Sequence, residues 1–173
     1  VISHSRLGNI EWRIVRNLML GSIPASFLMT YYLKGIDLYA YENVKIINFS
    51  LGLALILTSI AVIFQPLISK KTGVQKTRAL KNTTILTILL GLSLGVLVTL
   101  TSVGAGAMGV TALLLLYPKM SIKKIVGTDI AHAVPLTLFA GLGHWNLGTV
   151  NTYLLLSLLI GSIPGIWLGS NLS

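Results

Sequence analysis

Thr101-Ser102-Val103-Gly104-Ala105-Gly106-Ala107-Met108-Gly109 is the stretch that decides how this 173-residue chain folds. Residues 104–109 read G-x-G-x-x-G. That pattern is a dinucleotide fingerprint only where it follows a strand and opens a helix in a soluble βαβ unit. Here it follows residues 83–101, an apolar run long enough to cross a bilayer as a helix. The glycines therefore read as a break in a membrane helix. Two roles for them stay open. Small residues let helices approach closely in lipid, which accounts for Gly91, Gly95 and Gly104. Alternatively, the break is unwound backbone at membrane depth, which is tolerated only where protein buries it or water reaches it. The half-helix beginning near Gly109 would then present free N–H groups and a partial positive charge, an anion site. Thr101, Ser102, Gly104, Ala105, Gly106 and Gly109 are the candidate substrate-binding residues of this segment.

Composition supports the membrane reading. Hydrophobic residues make up 54% of the chain and charged residues 10%, where soluble domains carry about 25%. The formal net charge is +9, but the basic residues cluster between apolar runs, as topology and anionic headgroups require. No basic face with interleaved aromatics suggests nucleic acid. Without cysteine, disulfides, thiolate metal sites and a cysteine nucleophile are excluded. The chain opens on Val1 with no signal-peptide pattern and reads as an internal or C-terminal portion of a longer protein.

Five segments are long and apolar enough to span: residues 14–33, 46–64, 83–101, 125–142 and 153–169. A shorter one covers residues 110–117. Basic residues favour the cytoplasmic side. Residues 6–16, 65–82 and 118–124 are rich in them and are expected inside; residues 34–45 and 144–152 are expected outside. This works only if the short segment also crosses, as a broken or steeply packed helix. If it dips in and out on one side instead, three lysines fall outside.

The chain also repeats itself. His4, Leu7, Gly8 and Ile10 lead to Gly21-Ser22-Ile23-Pro24; His144, Leu147, Gly148 and Val150 lead to Gly161-Ser162-Ile163-Pro164 at the same spacing. Duplicated membrane units are a common build of secondary transporters. The expected fold is an all-α polytopic membrane protein with an internal repeat and a discontinuous Gly-rich helix. The charge pattern favours an inverted repeat, and a parallel one follows from the dipping alternative. Residues 1–33 are expected to end the first repeat, 34–82 to hold connecting loops and one helix, and 83–173 to form the second repeat.

Asp129 and His132 lie within the fourth span, at i and i+3 on one face. Ionisable groups at membrane depth face a cavity or a partner and mark function, so both are coupling candidates for a proton or sodium ion. The plainer readings are an Asp129–His132 pair, a lysine partner at the inner interface, or a satisfied core histidine. His4 and His144 are loop candidates, with helix capping or interfacial anchoring beside Trp12 and Trp145 as the structural alternative. The scattered acids and histidines fit neither an aspartyl protease nor a metal hydrolase. No cofactor or metal is expected.

Together Gly104–Gly109, Leu113–Leu116, Pro118-Lys119, Val126-Gly127-Thr128, His144-x-x-x-Gly148-x-Val150 and Gly161-x-x-Pro164-Gly165-x-x-x-Gly169 resemble the sulfite exporter TauE/SafE family of duplicated permeases. The resemblance implies export or uptake of a small sulfur-containing or organic anion such as sulfite or a sulfonate, across the cytoplasmic membrane. It adds Thr128 to the candidate binding residues. Asp129 departs from the family's Val-Gly-Thr-Ser element, with consequences for charge or ion coupling at the site. A membrane subunit that does not transport is the alternative, and an intramembrane enzyme a further one.

Overall fold

The computed structural model describes residues 10–36, 40–71, 82–102 and 106–172. Every regular element among them is a helix: α1 Trp12–Lys34, α2 Tyr41–Lys71, α3 Thr83–Thr101, α4 Ala107–Leu116, α5 Ile122–Asn146 and α6 Thr152–Leu172. Four of them, α2, α3, α5 and α6, are long and apolar enough to cross a membrane. All five expected segments are helical, four of them qualifying as spans, and most run beyond their apolar segments. A helix does not stop where the hydrocarbon ends, because its backbone stays paired by continuing into the interface. As a result Lys34 and His144 are helical, not loop, residues.

α1 has the length to span but falls short in composition. Its 23 residues begin with Arg13 and Arg16 and bury Asn17, Ser22 and Ser26. That polarity is tolerated because α1 is flanked by protein, with α3 on one side and α5 on the other. Its opposite face carries Leu20, Phe27, Leu28 and Tyr31, which are exposed and suited to lipid.

Glycine sets the closest of these approaches. A Cβ on Gly91 would collide with Leu18 O, one on Gly95 with Ser22 O, and one on Gly21 with Ile88 O. The packing role expected for Gly91 and Gly95 is therefore real; Gly104 lies outside the described residues. Thr87, Gly91, Gly95 and Thr99 recur every four residues and are all buried, forming one stripe along α3. The order of the contacts fixes direction. Leu18 meets Gly91, Ser22 meets Gly95 and Ser26 meets Thr99, so α1 and α3 run parallel. Glu11 meets Lys124, Ser22 meets His132 and Thr30 meets Gly143, so α5 runs the same way.

α4 runs back. Tyr117, just past its end, hydrogen-bonds Thr87 near the start of α3 at 2.7 Å. Ile14, Leu18, Val110, Leu113, Leu114 and Ile125 form the main core between α1, α4 and α5. Arg13, Lys119, Lys123 and Lys124 thus share one end of the bundle with Glu11, as expected for a cytoplasmic face. Hydroxyls inside the helices return to the carbonyl four residues back, as from Thr87 to Thr83 and from Thr137 to Ala133.

Candidate functional site

α4 has ten residues, about 15 Å of helix at 1.5 Å per residue, half of a hydrocarbon core. Its C-terminal end lies at the basic face, so its N-terminal end stops at mid-depth. Met108 there packs on Leu94, Val98 and Leu136. The chain reaches this point through strained geometry. Ser102 closes α3 at φ 57°, and Gly106 precedes α4 at φ 107°, a value that suits glycine alone. The first hydrogen bond inside α4 runs from Val110 N–H to Gly106 O at 2.8 Å. The N–H groups of Ala107, Met108 and Gly109 therefore have no carbonyl within the helix and point from its end. Gly104 and Ala105 lie outside the described residues.

Asp129 and His132 stand beside this end. Each is 2% exposed. Asp129 packs directly on Gly109: a Cβ there would collide with its Oδ1. Its Oδ2 is buried with no hydrogen-bond partner among the described residues. The interfacial lysine expected as one alternative partner is engaged elsewhere, since Lys124 Nζ holds Glu11 Oε1 at 3.2 Å. His132 Nε2 bonds Ser22 Oγ at 2.9 Å, not Asp129. That bond joins α5 to the first copy of the repeated signature.

Thr128 is fully buried but already committed. Its hydroxyl donates to Lys124 O at 2.6 Å and accepts the Glu11 N–H at 3.0 Å. Its only proton is thus engaged inside the protein, and it positions α1 on α5. Thr101 donates its hydroxyl to Leu97 O at 2.7 Å.

Ser102 and His144 come together farther out. They line a cleft of about 410 Å³ with Val98, Thr137, Ala140, Gly141, Thr149 and Val150. His144 sits in the last turn of α5. Its Nε2 bonds Thr99 O at 2.7 Å and its Nδ1 bonds Thr149 Oγ1 at 3.1 Å. Thr99 in turn donates to Ser26 Oγ at 2.8 Å. Nε2 donates to the Thr99 carbonyl, and Thr149 Oγ1, in contact with Nδ1, donates its own proton to His144 O at 3.1 Å. His144 thus joins the ends of α3 and α5 beneath the cleft. His4 lies outside the described residues.

The structure divides the expected site residues into two levels. Gly109 and Asp129 meet at mid-depth, with His132 turned to Ser22; Ser102 and His144 meet at the end of the bundle away from the lysines. Sequence reasoning gave no role to Ser22, Thr99 or Thr149. Ser22 carried a signal, as part of the repeated Gly-Ser-Ile-Pro. Thr99 carried another, as the last member of the four-residue stripe on α3.

Comparison with known proteins agrees with this architecture. The family model for the sulfite exporter TauE/SafE matches residues 1–173. The chain is 37% identical over 175 residues to the probable membrane transporter protein YjnA of Bacillus subtilis (strain 168), covering all of this chain and 68% of that protein. It is 26% identical over 168 residues to the probable membrane transporter protein YdhB of the same organism, covering 97% of this chain and 65% of the relative. The chain thus spans about two thirds of each relative's length. No solved structure matches it. A family model that covers the whole chain, and a relative matched over the whole chain, place this helical bundle in the sulfite exporter TauE/SafE family of membrane transporters.

Proposed function

We propose that this chain forms part of a secondary transporter in the cell membrane that carries small anions, with sulfur oxyanions such as sulfite and sulfonates as the substrate class. One observation carries the reading: α4 ends at mid-depth, where three N–H groups have no carbonyl within the helix, beside the buried Asp129. A helix N-terminus concentrates donors and partial positive charge, and in a water-poor surrounding it favours an anion. The cleft beside His144 offers the Ser102 hydroxyl along an approach from the end away from the lysines. The family's name supports sulfite; the donors would accept any small oxyanion.

The crossing directions favour an inverted arrangement of the two signature copies. α1 starts at the basic end. α6 follows α5, which runs parallel to α1, so a return crossing by α6 opposes α1. Units of opposite orientation around one site are a common route to alternating access.

Flux of radiolabelled sulfite or methanesulfonate into liposomes containing the full-length protein tests the reading. Saturable flux above that of protein-free liposomes is expected. A subunit that does not transport would give none. His132 is the second coupling candidate, and its role has its own test. If His132→Ala leaves pH-driven flux unchanged, His132 holds Ser22 and does no more.

A further inference from the structure

The carboxylate of Asp129 packs against the first turn of α4, the end an anion would approach. Gly109 is in the first turn of α4, among the residues whose N–H groups have no partner in the helix. Asp129 rests on that glycine so tightly that no Cβ fits between them. The residue is almost wholly buried, and Oδ2 has no partner among the described residues. A buried carboxylate normally takes a cation, several N–H donors, or a proton.

No cation faces it. α3 and α4 contain no titratable residue. From α1 the nearest charges are Glu11, held by Lys124 of α5, and Arg13 and Arg16, which are exposed. α2 carries its charged residues at its two ends. On α5 itself, His132 is bonded to Ser22. Among the described residues no three His, Cys, Asp or Glu side chains gather as a metal ion would need.

We infer that Asp129 is a tethered occupant of the α4 N-terminus, and that a proton on its carboxylate admits the substrate anion, so that each anion crosses with one proton. This rests on the anion-transport reading given above. Two negative charges cannot share one desolvated helix end. Protonation removes the competing charge. It also changes the group from pure acceptor to O–H donor, able to hydrogen-bond an oxyanion. The proton enters from water on the loading side and returns to water on the other side once the anion has left.

The test uses the full-length protein in liposomes, with radiolabelled methanesulfonate, whose charge is constant near neutral pH, and a pH-sensitive dye inside. Exchange of labelled for unlabelled anion at equal pH is measured beside net uptake under a pH gradient. In the wild type, an exterior about one pH unit more acid than the interior is expected to raise accumulation about tenfold, because one proton crosses with each anion, with acidification inside. Asp129→Asn should lose both the gradient dependence and the dye signal, with its remaining exchange independent of pH. Asp129→Ser, also neutral and smaller, serves the same readouts if the asparagine variant does not fold. Persistence of gradient-driven uptake in the neutral variant overturns the inference. So does loss of exchange in a folded neutral variant, or wild-type uptake driven by sodium and not by pH. Absence of any wild-type exchange would instead overturn the transport reading, and this inference with it.

Discussion

α1 and α6 carry the two copies of one signature, yet they live in opposite surroundings. Gly21, Ser22 and Ala25 of α1 are buried against α3. At the same spacing on α6, Gly161, Ser162 and Gly165 are exposed, as is every residue from 152 to 169. A Cβ on Gly21 meets backbone at once, whereas one on Gly161, Gly165 or Gly169 meets nothing within 4 Å. The signature therefore specifies a helix able to accept a close neighbour. Whether the neighbour is present is decided by the rest of the bundle. In lipid, small residues yield stability only through the helix that fills them.

The largest expected effect is Gly21→Leu. Its side chain has no route past Ile88 and Leu92, whose backbones are fixed by α3. A loss of about 3 kcal/mol or more is expected, at the upper end for overpacking. Gly161→Leu in this same chain should stay within about 0.5 kcal/mol, as for exposed positions without special roles. Unfolding of both variants in detergent checks the pair; equal costs would break the comparison.

Gly109→Ala comes next. The added methyl displaces the Asp129 carboxylate, with an expected cost of about 1–3 kcal/mol and a larger relative loss of anion flux than of stability. Parallel flux and melting measurements separate the two. Ser22→Ala leaves the buried His132 Nε2 without its partner, at about 1–3 kcal/mol. Ser162→Ala, its counterpart on α6, should be near neutral in the same unfolding assay. Lys124→Ala is the smallest. Its bridge to Glu11 joins side chains that are 41% and 43% exposed, and pairs of that kind contribute about 0.2–1 kcal/mol.

Much of this architecture is legible in the sequence, because lipid makes apolar length a direct signal. The spans, the short returning helix and the break before it follow from the chain near Gly104 and from the placement of lysines. α1 is harder to read. Its buried Asn17, Ser22 and Ser26 lower its apolar content, and only the flanking α3 and α5 make that polarity acceptable. The site was legible in part. Asp129 stands out as an acid within an apolar helix, but its nearness to Lys123 and Lys124 also suggests a lysine partner. Pairing between Glu11 and Lys124, distant in sequence, removes that partner, and no local pattern announces it. His144 read as a loop residue because its helix outlasts its apolar run; its bond to Thr99 O depends on how α3 and α5 end together.

The central claim is that the free N-terminus of α4 holds a small anion in transit. Tracer methanesulfonate counterflow in liposomes, comparing the wild type with Gly109→Leu, tests it most directly, with circular dichroism to establish that the variant is folded. The expected result is saturable wild-type counterflow, inhibited by unlabelled sulfite and insensitive to choline, and abolished in the folded variant. Counterflow that persists unchanged with leucine at position 109, or a wild type no faster than protein-free liposomes, would contradict it.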